Sequence, residues 1–356
     1  MIKNQPDFRR LRCTLLLEGE PDSVPLFDGV EPEVMSNWLG KPVSDLETTV
    51  EFYAKAGYDY IRLGVDLWST LRGSKGGVLA GESKKVQYSV YTETHRERVW
   101  AREGKGIITS MKDFEDFLWP RVEDMDFSAF KKVEDYMPRG MKGIASVGHI
   151  FTTVWTLMGL ETFCMALAEN PELVAQIFQK VGNIQYEMLE GVIRFDSVGA
   201  ILVSDDIAYT PGLMISPKYL RQYLFPWFER MCALCRERDV LIIYHSDGKL
   251  DDVLDDIAAV GFHGLHPIQP NAMDIKRVKE RVGDRLCLLG NIDLDVLARG
   301  TPEQVEELVK KNLREIAPGG GYCVGSSNSV PNYVKLENYN AMRQTVFKYG
   351  TYPIQV

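Results

Sequence analysis

Long apolar runs are missing from this chain. None reaches 18 residues, so no membrane-crossing helix is expected. The opening, MIKNQPDFRRLRC, carries charges but no apolar stretch after them, and so does not read as a secretory leader. Cysteine is sparse. The six, at positions 13, 164, 232, 235, 287 and 323, are scattered and do not resemble a disulfide framework. Reduced thiols and a cytoplasmic location are the expectation. Positive charge is in deficit, with 41 Lys+Arg against 50 Asp+Glu and a net charge of −9. That argues against nucleic-acid binding, which needs a basic face to engage phosphates. Repeats and low-complexity tracts are also lacking. What remains is ordinary globular material: 356 residues, 45% hydrophobic and 26% charged. Such a chain can bury a large core without disulfide or metal.

Eight short apolar runs punctuate the sequence: VPLF (24–27), YDYIRLG (58–64), KGIASVG (142–148), AILVSDD (200–206), LIIYHSD (241–247), GFHGLHP (261–267), RLCLLGNID (285–293) and GYCVGSSN (321–328). Helical patterns lie between most of them, at 44–57, 171–195, 216–238 and 301–316. Ser216-Pro217 and Thr301-Pro302 each supply an N-cap followed by proline at the first helical position. Strand and helix in alternation imply parallel βαβ units, and eight of them predict a single α/β domain, a (β/α)8 barrel over 1–356 with its active site at the C-terminal ends of the strands. A doubly wound open sheet is the alternative. It usually announces a glycine-rich phosphate turn after its first strand, and DGVEPE stands there instead. The stretch 65–141 is too long for one helix. It contains an edge excursion, KGIITS, and reads as an insertion between strands two and three, over the barrel mouth.

The runs end in polar residues: Asp28, Asp66, His149, Asp205 and Asp206, His245 and Asp247, His266, Asn291 and Asp293, and Ser326 to Asn328. Any one of them could simply cap the next helix. As a ring they point to an active site. The sharpest segment is Tyr244-His245-Ser246-Asp247-Gly248. Side chains two apart on a strand share a face, so His245 and Asp247 should enter the mouth together, as zinc ligands or as an acid/base pair. Cys323, on the eighth strand after Gly319-Gly320-Gly321, could join them in a zinc site with one open position. A core thiol and a capping carboxylate are the plainer reading of the same residues. Of Asp205 and Asp206, only one can face the mouth. Cys232 and Cys235 form C-x-x-C, but lie three apart within a helical pattern and read as core. His263 reads as buried and hydrogen-bonded, His95 as solvated. Trp68, Phe151 and Trp155 follow strand ends and could line a pocket, whereas Trp227 reads as core. The triple glycine lacks a following Lys-Ser/Thr, which argues against nucleotide binding.

Several segments together resemble the uroporphyrinogen decarboxylase superfamily: LRCTLLLEGEPDSVPLF, VSDDIAYTPGLMISPKYLRQYLFPWFERM, YHSDGKLDDVLDDIAAVGFHGLHPIQ, LLGNIDLDVLARGTPEQV and GGGYCVGSSNSVP. The resemblance spans roughly 8–345 and implies the same barrel. The decarboxylases carry an arginine-rich loop after the first strand and a tyrosine after the third. Here DGVEPEVMSNW has no arginine, and no tyrosine lies between His149 and Phe163. The chain is more similar to the cobamide-dependent methyltransferase branch, whose zinc motif is His-x-Cys followed by a distant Cys. His245, Asp247 and Cys323 are the matching positions, with Asp247 in place of a thiolate.

That resemblance implies a zinc-dependent methyltransferase. It would move a methyl group from an O-methylated small molecule, a phenyl methyl ether being one example, to a corrinoid. The chain shows no D-x-H-x-x-G cobalamin segment, so the corrinoid would come from a partner protein. Zinc would be held by His245, Asp247 and Cys323, and a thiolate-poor set makes a stronger Lewis acid suited to an ether oxygen. Asp206 and His266 would supply a fourth ligand or acid/base chemistry. Asp28, Asp66, Trp68, His149, Phe151 and Asn291 would line the substrate. A homo-oligomer is left open. The competing readings are a metal-free decarboxylase-like enzyme and a non-catalytic barrel that binds a tetrapyrrole or corrinoid.

Overall fold

Seven of the eight apolar runs form one parallel sheet. The structure is a computed structural model that describes residues 5–65 and 106–356, and 84–88 and 96–100 as strand backbone alone. In chain order the strands are β1 (Tyr60–Gly64), β2 (Lys84–Tyr88), β3 (Arg96–Trp100), β4 (Lys142–Val147), β5 (Val198–Ser204), β6 (Ala208–Tyr209), β7 (Gly212–Leu213), β8 (Leu241–His245), β9 (Gly264–His266), β10 (Cys287–Ile292) and β11 (Tyr322–Ser326). The sheet order is β1-β4-β5-β8-β9-β10-β11, with every neighbouring pair parallel. The pairs β2–β3 and β6–β7 are antiparallel ribbons. The chain is an α/β barrel of the TIM type.

The eighth stave is the run 24–27, and it is held differently. Its backbone meets β11 through Phe27 N to Val324 O at 2.8 Å and Val324 N to Pro25 O at 2.9 Å. Pro25 has no N–H to extend that ladder. The approach is so close that a Cβ at Gly325 would lie 1.8 Å from the Phe27 carbonyl oxygen, so only glycine fits there. On the other side the ring closes through a side chain. The Tyr60 hydroxyl of β1 accepts from Asp28 N at 2.6 Å and donates to Asp28 O at 2.8 Å.

The alternation of a strand explains what faces where. Tyr244 points outward, its ring 5.2 Å from Phe228 on the helix Phe225–Glu237 and 5.1 Å from Phe262. Its neighbour His245 therefore points into the lumen. Helix limits follow the sequence signals. Asn170 caps Pro171–Ile193 through Leu173 N, and Thr301 with Gln304 forms a capping box for Pro302–Glu315. The segment expected as one helix over 216–238 is broken into Pro217–Tyr219, a π turn at Leu220–Leu224 and Phe225–Glu237. Pro226 has no N–H for the preceding turn, and the wider π turn absorbs the missing bond. Cys232 and Cys235 are buried in this last helix, as core packing requires.

The expected edge segment KGIITS is not a strand over its described residues, 106–110. The amides of Gly106, Ile107 and Ile108 instead donate to the Met158 and Leu157 carbonyls, at the end of the helix Ile150–Met158. Among the described residues no single helix is long and apolar enough to cross a membrane.

Candidate metal centre

Ladder register places Ser204 of β5 opposite His245, the last residue of β8. Two residues beyond each position stand Asp206 and Asp247. His245 Nε2 lies 3.7 Å from Asp206 Oδ1 and 3.9 Å from Asp247 Oδ1. One donor atom from each of the three residues falls within 4.8 Å of the others. These separations are too long for hydrogen bonds and suit three donors around one ion, each about 2.0–2.2 Å from it. Second contacts hold the carboxylates. Asp247 Oδ2 accepts from Asn328 Nδ2 at 2.6 Å, and Asp206 Oδ1 accepts from Asp247 N at 2.8 Å. Asp247 Oδ1 is buried and has no hydrogen-bond partner.

Burial pushes the Asp247 carboxyl up to about 7. The charge of Asp206 adds to that, and the Asn328 bond opposes it. Burial also lowers His245, with Asp206 opposing and the Arg62 charge assisting, so the imidazole is held in the neutral form that binds metals. Its other nitrogen, Nδ1, is 2.7 Å from Nδ1 of His266. A buried orphan oxygen and a donor set of oxygen, nitrogen and oxygen fit a divalent ion such as zinc, without any thiolate.

The structure brings together only part of the residues expected at the mouth. His245 and Asp247 meet as expected, and Asp206 is the member of its pair that joins them. Asp205 turns the other way and accepts from the amides of Phe151 at 2.7 Å and Thr152 at 2.8 Å, capping the helix after β4. His149 precedes that helix. Its imidazole is held down at about 4 by burial and by His245, with Asp206 opposing, so it stands beside the trio. His266 lies behind His245 rather than facing open space, its ring 5.2 Å from Phe27, with Nε2 buried and unpartnered.

Four expectations are corrected. Cys323 is not in the cluster. It is the second residue of β11, near the N-terminal end of a strand whose C-terminal end faces the mouth. It is fully buried, and its thiol is pushed up by burial and by Cys287. The triple glycine before it does not approach the mouth either, because a Cβ at Gly320 would strike the Gly19 carbonyl oxygen at 2.2 Å. Asp28 has no free oxygen for a substrate. Oδ1 accepts from Ser326 N and Oγ at 2.8 and 2.7 Å, and Oδ2 from the Tyr58 hydroxyl at 3.2 Å. Asn291 is turned away, donating to the Ile268 carbonyl and accepting from Asn312 of the helix Pro302–Glu315. Phe151 packs outward against Phe163, with ring centroids 5.7 Å apart. Asp66, Trp68 and His95 lie outside the described residues.

Two residues of this mouth are not candidates in the sequence reading of ligands or substrate groups. Asn328 belongs to the polar ring but was not singled out within it, and it is the β11-side partner of Asp247. Arg62 sits on the lumen face of β1, and its only sequence signal is a lone charge inside the apolar run YDYIRLG.

Comparison with known proteins agrees with this architecture. The uroporphyrinogen decarboxylase (URO-D) family matches residues 107–349. Uroporphyrinogen decarboxylase of Aromatoleum aromaticum is 29% identical over 174 residues, covering 47% of this chain and 44% of that protein. Methylcobamide:CoM methyltransferase MtaA of Methanosarcina barkeri is 32% identical over 143 residues, covering 40% of this chain and 39% of that one. The chain thus spans about half the length of the curated relatives it matches, or less. Among solved structures, a methyltransferase from Methanosarcina mazei superposes with a TM-score of 0.67 over 96% of this chain and 98% of its own, at 18% identity, which shows a shared fold. With more than half its length matched and the barrel in place, the chain belongs to the URO-D family.

Proposed function

We propose that this chain is a methyltransferase of the URO-D family, taking a methyl group from an O-methylated small molecule to the corrinoid of a separate partner protein. The observation that carries the reading is the Asp206–His245–Asp247 cluster at the barrel mouth, with the Asp247 Oδ1 atom buried and unpartnered. The similarity to a named methylcobamide methyltransferase supports the same branch. Asp206, His245 and Asp247 would hold zinc, which when bound supplies a Lewis acid for an ether oxygen. Asn328 fixes the Asp247 carboxylate, and His266 fixes the ring of His245. His149, neutral beside the cluster, can donate a hydrogen bond to a leaving oxygen.

Purified protein should contain about one zinc per chain. With a corrinoid protein and an O-methylated donor it should release the demethylated alcohol or phenol. Demethylation without any corrinoid would overturn the partner requirement. The decarboxylase names among the relatives favour one other reading. Carbon dioxide release from uroporphyrinogen by metal-stripped protein would put that reading in place of this one.

A further inference from the structure

Arg62 is a partly buried guanidinium with no ion pair among the described residues. Nη2 donates to Ser146 Oγ of β4 at 3.2 Å, and among the described residues no carboxylate oxygen lies within 4.0 Å of it. Its neighbouring acid, Asp28, has both oxygens occupied by Ser326 and Tyr58. Four further N–H donors of Arg62 have no partner among the described residues. Holding such a cation away from bulk water without a counter-charge is unfavourable, and a guanidinium is shaped to take a carboxylate through two parallel hydrogen bonds.

The group sits at the same end of the barrel as the metal cluster. A Cβ at Gly29, just past the first stave, would lie 3.8 Å from Arg62 Nη1 and 4.0 Å from Ser329 Cβ. Ser329 follows Asn328, which bonds Asp247. The segment after β11 therefore runs from the metal cluster to the arginine. Gly29 also leaves the flank of the guanidinium free of a side chain. Beneath lies an aromatic floor in which Phe27 is 5.4 Å from Tyr60 and 5.2 Å from His266.

We propose that Arg62 is the anion anchor of this mouth and that the methyl donor carries a carboxylate, as in a methoxybenzoate. The methyl-ether half of this statement rests on the function proposed above, while the anion half rests on Arg62 alone.

Equilibrium binding separates the two. Benzoate, 3-methoxybenzoate and uncharged methoxybenzene are titrated by calorimetry into the zinc-loaded full chain and into Arg62→Met and Arg62→Lys, with circular dichroism as the folding control. Both carboxylates should bind wild type more tightly than methoxybenzene. Arg62→Met should weaken them about 10–100-fold, as expected for a lost charged double hydrogen bond, and leave methoxybenzene unchanged. Arg62→Lys should fall in between, because it keeps the charge and loses the fork. Folded Arg62→Met protein that binds the carboxylates like wild type overturns the proposal, and so does wild type that prefers methoxybenzene. Arg62-dependent carboxylate binding together with failed methyl transfer would leave the anchor standing and remove the proposed reaction.

Discussion

His245 and His266 meet nitrogen to nitrogen, Nδ1 to Nδ1 at 2.7 Å, with ring planes 29° apart. One of the two must donate and the other accept. When His245 donates from Nδ1, its Nε2 keeps a lone pair aimed between Asp206 and Asp247, as a metal ligand requires. His266 is then a positioning residue that sets the tautomer of the ligand, the role a carboxylate or carbonyl plays behind most ligating histidines. His266→Ala should lower zinc affinity by about 10–100-fold with the fold retained. His266→Gln, whose amide oxygen still accepts, should recover part of it. Competition with a chromophoric chelator reads the difference. Equal zinc affinity in all three proteins would remove the role.

Cys323 and Asp247 give opposite outcomes on removal. Asp247→Ala should abolish stoichiometric zinc, because it deletes a buried carboxylate from a three-donor set. Cys323→Ala should retain full zinc and cost about 1–2 kcal/mol of stability through the small cavity it leaves in the core. Metal analysis alongside urea denaturation checks both.

Asp205 caps a helix from a neighbouring strand. Its oxygens take the amides of Phe151 and Thr152 at the start of Ile150–Met158. Asp205→Ala leaves two buried donors unpaired and should destabilise the protein by about 2–4 kcal/mol, measured by urea unfolding. Because that helix follows His149, zinc affinity should change little while His149-dependent turnover falls.

Asp28 makes stability depend on pH. Burial raises its carboxyl to about 7, against hydrogen bonds from Ser326 and Tyr58 that pull it down. A folded-state value above the unfolded one means that the contribution is fully present below about pH 4 and is lost as pH rises through about 7. Asp28→Asn can keep the Ser326 bonds through its oxygen and reverse the Tyr58 bond, its amide donating to the hydroxyl. The stability difference between Asp28→Asn and wild type should therefore grow in favour of the variant from about pH 4.5 to pH 7 and level off above about pH 7.5. Melting temperatures across that range test it, and a flat difference would show that Asp28 does not titrate there.

Much of the barrel is legible without coordinates because strand and helix periods differ, and turn chemistry marks their ends. The first stave shows the limit. VPLF reads as a strand, yet its attachment depends on the bare Cα of Gly325 and on a tyrosine hydroxyl 32 residues away. Within the site, period-two alternation puts His245 and Asp247 on one face and separates Asp205 from Asp206. It does not say which of the latter pair turns inward, since that depends on how β5 is rolled against its neighbours.

The sequence by itself determined the architecture, the polar character of the mouth and the His245–Asp247 pair, because all three follow from local period and from chain order. Tertiary structure alone decided height and direction. Cys323 and Asn328 are five residues apart, but Cys323 stands second in β11, in the core, and Asn328 lies past its end beside Asp247. Asn328 lies two residues past Ser326, and its place at the site is fixed by its bond to Asp247, far away in sequence. Arg62 breaks an apolar run, and only the packed barrel shows that no carboxylate among the described residues meets it. Long-range pairing sets such facts, because a side chain's partners depend on strand stagger and ring closure, which no local pattern encodes.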